Sequence, residues 1–331
     1  MRIVVDAMGG DNAPSAQIEA VVEASGKYDA EFILVGIEDV INKELLKYTV
    51  NGKVSVVNAS EIIEMSEEPV KAIKTKKDSS IVVAARMLKD KKADAMLSCG
   101  NTGAVLAAAL LIVGRVKGVS RPAIATFLPG EKGPVMLTDM GANTNCKAEN
   151  LVQFALMGNA YLKNVCKIKE PRIALMSNGT EPEKGDALTK EAHRLFLEKE
   201  FNFIGNVEGR DVMLGDADLI VCDGFVGNVI LKTVEGMGKM IGNKMKSIFS
   251  GDVFSFLSAL LVYKKINAFK KKMDYREYGG APLLGVSAPV VKGHGSSDKK
   301  AVMSAIRQTI DFAGTDFAAI LESELEKNCI K

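Results

Sequence analysis

Six short turns along this chain combine Gly with Asn, Ser, Asp or a cation, and residues of these types suit one task, gripping an oxyanion. The densest contains Asp6, Gly9, Gly10, Asp11 and Asn12 within seven positions. The others offer Ser98, Gly100, Asn101 and Thr102; Asn143 and Asn145, with Lys147 following; Lys184, just after Ser177-Asn178-Gly179-Thr180; Asp223, Gly227 and Asn228; and His294, Ser296 and Ser297. Glycines let main chain approach a ligand, and helix N-termini present unpaired N–H groups to anions. A phosphate-sized anion is therefore the first ligand to expect. Each turn also has an ordinary reading as a helix entrance, in which Asn101, Thr102, Asn228 or a serine near His294 caps a helix and needs no ligand. His193, mid-helix, reads as a surface or core residue.

The turns must be held by strands. Apolar runs at 3–6, 31–36, 54–57, 95–98, 123–127, 135–139, 172–177, 219–223 and 288–291 alternate with segments of three-to-four apolar spacing at 15–27, 37–47, 79–91, 102–116, 148–163, 184–200, 227–250 and 296–326. That alternation predicts βαβ units and a three-layer α/β/α fold on a mostly parallel sheet. In such sheets ligands bind beyond the carboxyl ends of the strands, where all six turns fall. No fixed-period repeat and no Pro- or Ser-rich linker divides residues 1–331, so the expectation is one intertwined unit, with any two lobes sharing a cleft. The likeness of Asp6-Ala7-Met8-Gly9-Gly10 to Asp139-Met140-Gly141-Ala142 is too short to signal a repeat.

Composition narrows the partners. Apolar residues make up 47 % and charged residues 25 % of the chain, ordinary for a folded globular protein. A net charge of +2 gives no case for nucleic acid. Cysteines at 99, 146, 166, 222 and 329 are odd in number and never form a CxxC pair, which argues against a disulfide framework or a zinc site and fits a reducing cytoplasm. No secretory signal and no span of about 20 apolar residues is visible. No metal or cofactor is called for.

Two stretches depart from the alternation. Residues 58–69 are acidic and give way to Lys71, Lys74, Lys76 and Lys77, which predicts an excursion followed by a short helix opened by Pro69. Residues 249–273 carry Phe254, Phe256, Leu257, Leu260 and Leu261 among lysines including Lys264 and Lys265, the composition of an amphipathic helical hairpin. Such a hairpin suits contact with anionic lipid or with an acyl chain, or burial in a dimer interface.

The blocks Val5-Asp6-Ala7-Met8-Gly9-Gly10-Asp11-Asn12-Ala13-Pro14, Glu64-Met65-Ser66-Glu67-Glu68-Pro69, Lys77-Asp78-Ser79-Ser80, Ser98-Cys99-Gly100-Asn101-Thr102-Gly103-Ala104, Asp139-Met140-Gly141-Ala142-Asn143, Cys222-Asp223-Gly224-Phe225-Val226-Gly227-Asn228, Tyr278-Gly279-Gly280-Ala281 and His294-Gly295-Ser296-Ser297-Asp298 together resemble the PlsX family of acyl-acyl-carrier-protein:phosphate acyltransferases. One block departs: Ser177 and Asp186 stand where the family pattern has other types nearby, which leaves Lys184 as the residue of interest there. The resemblance implies a fold like phosphotransacetylase and isopropylmalate dehydrogenase, with a protruding hairpin. It implies transfer of a long-chain acyl group from acyl-ACP to inorganic phosphate, giving acyl phosphate for phospholipid synthesis. It also implies a homodimer, cytoplasmic and peripherally bound to the inner face of the cell membrane, feeding a glycerol-3-phosphate acyltransferase.

Phosphate brings its own nucleophile, and the departing thiol has a pKa of about 8.5, so such an enzyme needs no nucleophilic Ser, Cys or His. It must position phosphate, stabilise the tetrahedral oxyanion and exclude water. Asn228, His294 and Lys184 are the candidate catalytic residues for that work. The basic run at 71–77 is a candidate dock for the acidic carrier. Two alternatives remain open: a phosphate acetyltransferase-like enzyme using acyl-CoA, and a non-catalytic membrane-associated scaffold of the same fold. A dehydrogenase is disfavoured, since no GxGxxG follows the first strand.

Overall fold

The computed structural model describes residues 1–249, 258, 262–267 and 279–328. Phe254, Phe256, Leu257, Leu260 and Leu261 lie outside the described residues, while Lys264 and Lys265 sit exposed in a helical stretch at 262–267.

An 11-stranded sheet forms the middle layer, in the order β3-β2-β1-β4-β11-β10-β5-β6-β9-β7-β8. The first run, β1 (Arg2–Asp6), β2 (Glu31–Gly36), β3 (Lys53–Asn58), β4 (Ala95–Ser98) and β11 (Val290–Lys292), is parallel throughout. The second, β6 (Val135–Thr138), β7 (Ile173–Met176), β8 (Phe203–Val207) and β9 (Leu219–Val221), is parallel as well. Between them β10 (Ala281–Leu284) and β5 (Ala123–Leu128) pair antiparallel to each other and to their neighbours. The three successive antiparallel pairings reverse direction, so the second run points opposite to the first.

Alternation sorts the strand side chains between the faces. Ile3 and Val5 join Phe32, Leu34 and Leu97 on one face, while Val4 joins Ile33, Val35 and Met96 on the other. Both faces are covered, which is why these strands read as unbroken apolar runs. The first face carries α1 (Ser15–Lys27), α6 (Ala148–Asn164), α9 (Lys299–Ala313) and α10 (Phe317–Lys327). The second carries α3 (Pro69–Thr75), α4 (Ser80–Lys89) and α5 (Thr102–Ala108) and, over the second run of strands, α8 (Gly224–Phe249). Helices α2 (Glu38–Leu45) and α7 (Ala187–Phe196) complete the set used below.

Several boundaries differ from the sequence expectation for local reasons. The strand β10 was not anticipated because Pro282 sits within it, and β8 because Gly205, at φ +99°, interrupts it. The helix expected at 296–326 is two helices, parted at Gly314-Thr315, with Asp316 capping the second through the Ala319 N–H. The helix expected from 184 begins at Ala187, capped by Asp186, which leaves Lys184 in the preceding loop. Pro69 does open a short helix, as expected, with Glu68 as its cap.

Candidate active site

The turns after β1, β4 and β11 are neighbours because those strands are neighbours, and they are stitched together densely. Ser98 Oγ donates to Asp6 Oδ2 at 2.6 Å, and the Asp11 N–H donates to Gly295 O at 2.8 Å. The Asn12 amide donates to the carbonyls of Ser296 and Ser297 at 3.3 and 3.1 Å. Gly10 stands at φ +104° with Gly295 O close by, and Gly9 lies against Asp6 and the Gly100 main chain, so a side chain at either position would push the turns apart. Asp6 is fully buried, and that burial raises its carboxyl above the ordinary carboxylate range despite bonds from Ser98, Ser80 and Met8.

Lys292, at the end of β11, was not singled out from the sequence. It is 6 % exposed, and its Nζ donates to Cys99 O at 3.4 Å and to Gly293 O. Burial lowers its pKa against the opposing pull of Cys99, Asp6 and Asp11. The available signal was a lysine closing an apolar run, immediately before a glycine. Asn101 is committed as well: its amide donates to the carbonyls of Glu64, Met65 and Glu67 at 3.2, 3.0 and 3.1 Å, while its oxygen caps α5 through the Ala104 N–H. Asn101 thus holds the 64–67 strap over the turns, and Met65 reaches the backbone at Gly295. Asp6 and Asn101 shape this cradle from within; Asp11, Asn12, Thr102, His294 and Ser296 are exposed polar groups on it.

A second group forms after β6, β9 and β7, also adjacent in the sheet. Asp139 is buried at the end of β6, where Oδ1 accepts the N–H groups of Ile124 and Ala142 and Oδ2 accepts both the N–H and the side-chain amide of Asn143. Its pKa is raised by burial, as that of Asp6 is. The Asn143 carbonyl accepts the Gly224 N–H at 2.8 Å, which ties this turn to the start of α8. Asp223 caps that helix through the N–H groups of Phe225 and Val226 at 2.8 and 2.9 Å. Gly227 lies hard against Asp139 O, and Asn228, exposed, borders Gly141. Asn145 offers only its carbonyl to Arg121 at 2.6 Å. Lys184 is exposed in the loop after β7, where Asn178 Oδ1 accepts the N–H of neighbouring Gly185.

The six turns therefore gather as two groups of three, and α8 links them. Val226, Ile230, Leu231 and Val234 pack inward on the second group's core. Along another face the helix carries Asn228, Lys232 and Glu235, and Glu235 Oε1 reaches to 3.9 Å from His294 Nε2 in the first group. Burial lowers the His294 pKa against the opposing pull of Glu235 and Asp11, which favours the uncharged ring. The side chains that meet the space along α8 are Asn228, Lys232 and His294, which can donate to an anion and to the developing oxyanion of acyl transfer, with the Glu235 carboxylate beside them paired to Lys232.

A family model described as "Fatty acid synthesis protein" matches residues 1–320. A phosphate acyltransferase from Clostridium novyi is 47 % identical over 332 residues, covering 100 % of both chains. The chain belongs to this family of acyltransferases. The PlsX resemblance of the eight blocks thus extends across the chain. A second relative, a phosphate acyltransferase from Alkaliphilus oremlandii, is 49 % identical over 313 residues, covering 94 % of this chain and 93 % of its own. In fold the chain is similar to a phosphotransacetylase from Streptococcus pyogenes, with a TM-score of 0.60 at 19 % identity, covering 95 % and 94 % of the two chains. That likeness bears out the expected architecture.

Proposed function

We propose that the protein transfers a long-chain acyl group from an acyl-ACP thioester to inorganic phosphate, releasing acyl phosphate and free ACP for phospholipid synthesis. A hydrogen phosphate oxygen attacks the thioester carbonyl and forms the C–O bond. The C–S bond then breaks, and the proton carried in by phosphate ends on the departing thiol. Asn228 donates to the thioester oxygen; Ser296 and Lys184 hold phosphate, with His294 behind Ser296; the buried aspartates keep the turns in shape.

The observation that carries the long-chain donor is the apolar exposed side of α8. It starts beside the 223–228 turn with Phe225, 63 % exposed, and Val229, and continues through Met237, Met240 and Ile248. An acetyl group needs no such surface, whereas an acyl chain of the length found in membrane lipids does. The same side, together with the lysine-rich composition of residues 249–273, supports a homodimer and peripheral contact with the anionic inner face of the membrane, where a glycerol-3-phosphate acyltransferase would take the product. Among the described residues no helix is long and apolar enough to cross a bilayer.

Phosphate-dependent release of thiol from palmitoyl-ACP, palmitoyl-CoA and acetyl-CoA tests the reading. Turnover of the long-chain carrier thioester is expected, with formation of palmitoyl phosphate. Turnover of acetyl-CoA alone would replace this reading by the phosphotransacetylase one, and none with any donor would leave a scaffold.

A further inference from the structure

Glu235 is not part of any recognised turn, yet it connects the two halves of the site. Its Oε2 accepts from Lys232 Nζ at 2.8 Å, which leaves Oε1 directed at His294 Nε2. On the other side of the ring, His294 Nδ1 accepts the Ser296 N–H at 3.2 Å and meets Ser296 Oγ at 2.9 Å. A nitrogen that accepts an N–H carries its lone pair there, so the proton of the neutral ring is on Nε2, facing the carboxylate. The order hydroxyl, imidazole, carboxylate is that of a general-base relay; here the Ser296 N–H fixes the tautomer, and the carboxylate, 3.9 Å away, is placed as the charge partner of the imidazolium rather than as a hydrogen-bond acceptor.

Phosphorolysis of a thioester has a use for such a relay that differs from nucleophilic attack. Hydrogen phosphate enters with one proton, and acyl phosphate leaves without it, so one proton must travel from phosphate to the departing sulfur. A hydroxyl that accepts at its oxygen while donating to an imidazole can move that proton with no net change in the enzyme.

We propose that Ser296, His294 and Glu235 form this proton relay, with Ser296 Oγ meeting the substrate and His294 and Glu235 acting as positioning residues behind it. The inference rests on the phosphorolysis reading above. His294 takes the phosphate proton through the Ser296 hydroxyl, is paired as imidazolium with Glu235, and returns the proton by the same path to the thiolate. Among the described residues, the charged groups that act on the ring include Glu235 and Lys232 from α8, Lys292 from β11 and Asp11 from the turn after β1. Of these, Glu235 is the carboxylate 3.9 Å away, and Lys232 is already paired with it. Glu235 is seven residues, or about 10 Å of helix rise, beyond Asn228 on the same face of α8. One helix therefore delivers the oxyanion donor and the relay's acid together.

The test uses the full chain and follows the ring protons of its histidines by NMR as pH is varied. Only His193 and His294 contribute. Glu235→Gln is isosteric and is expected to lower the His294 titration midpoint by about 0.5 pH unit or more, from the loss of one charge at roughly 4 Å. His193, bonded to Asn206 elsewhere, should not move. In phosphorolysis of palmitoyl-ACP the same substitution should cut kcat by about tenfold to a hundredfold with KM for phosphate little changed, and Glu235→Asp should restore part of the rate. Ser296→Ala should remove the solvent isotope effect on kcat. An unchanged His294 midpoint and unchanged kcat in Glu235→Gln would overturn the relay while phosphorolysis by the wild type stood. Absence of phosphorolysis in the wild type would instead remove the reading beneath it.

Discussion

The Asp6 carboxyl and the Ser98 hydroxyl meet at 2.6 Å in a spot closed to solvent, joining the ends of two adjacent parallel strands. Asp139 does the corresponding work at the end of β6, accepting N–H groups from its own turn and from Ile124. Both carboxyls are pushed upward in pKa by burial, so each cradle rests on a carboxyl that holds its proton beyond the usual range.

That state of Asp6 sets a pH dependence. A carboxyl whose folded pKa is raised stays protonated where the unfolded chain has already ionised, so the folded state binds more protons over that window. The stability it contributes is fully present below the unfolded value of 3.8 and is lost as pH rises through the folded one. Asp6→Asn cannot ionise. Its unfolding free energy in urea, compared with wild type at a series of pH values, should gain relative to wild type as pH rises above 3.8. A difference that is flat with pH would show that Asp6 is ionised in the fold.

Asn101 separates capping from cross-linking. As an N-cap alone, Asp serves as well as Asn, and Ala costs about 0.5–2 kcal/mol. The Asn101 amide, however, donates to carbonyls of Glu64, Met65 and Glu67, and an Asp there would set a carboxylate against three acceptors. Asn101→Asp should therefore be the more damaging substitution, losing more stability than Asn101→Ala and exposing the 64–67 strap to limited proteolysis. The reverse order in urea unfolding would reduce Asn101 to a helix cap.

These two cases show what the sequence could carry. The strands β1 and β4, and the turns after them, were legible because apolar runs end abruptly in small polar residues. What Asn101 and Asn12 bond to was not, since their partners lie 34–37 and 284–285 residues away in sequence. The parallel duties of Asp6 and Asp139 were half visible in a likeness too short to trust. Lys292 and Glu235 were missed for different reasons. Lys292 ends an apolar run where a lysine reads as a solvated strand end, and Glu235 belongs to the site only through a ring contributed by the other half of the sheet.

The first turn of α8 and its middle respond oppositely to the same substitution. A side chain at Gly227 would meet the Asp139 carbonyl, which is backbone and cannot step aside, so Gly227→Ala must displace the 223–228 turn. At Gly236 nothing lies within 4 Å, and Ala there gains about 0.5–1 kcal/mol of helix propensity. Thermal unfolding should show Gly227→Ala several degrees below wild type and Gly236→Ala above it. If Gly236→Ala is instead the destabilised variant and the protein runs as a smaller species on size exclusion, a second copy covers that face of the helix.

Lys184 offers the cleanest separation of function from stability. It precedes α7 in an exposed loop, its N–H bonded to Glu181 O at 3.0 Å and its stem lying along Gly179, and among the described residues its side chain has no hydrogen bond or ion pair that a substitution would break. Surface substitutions of this kind usually move stability by no more than about 0.5 kcal/mol. An exposed cation in the loop after β7, whose strand neighbours β9, matters to an anion, not to the core. Lys184→Gln should thus leave the unfolding midpoint in place while lowering kcat/KM for phosphate by about 10²–10³, the range seen when one donor to a developing oxyanion is removed. Lys184→Arg should keep most of the activity if charge alone is required. A Gln variant with wild-type kinetics would strike Lys184 from the site and leave the anion to the donors along α8.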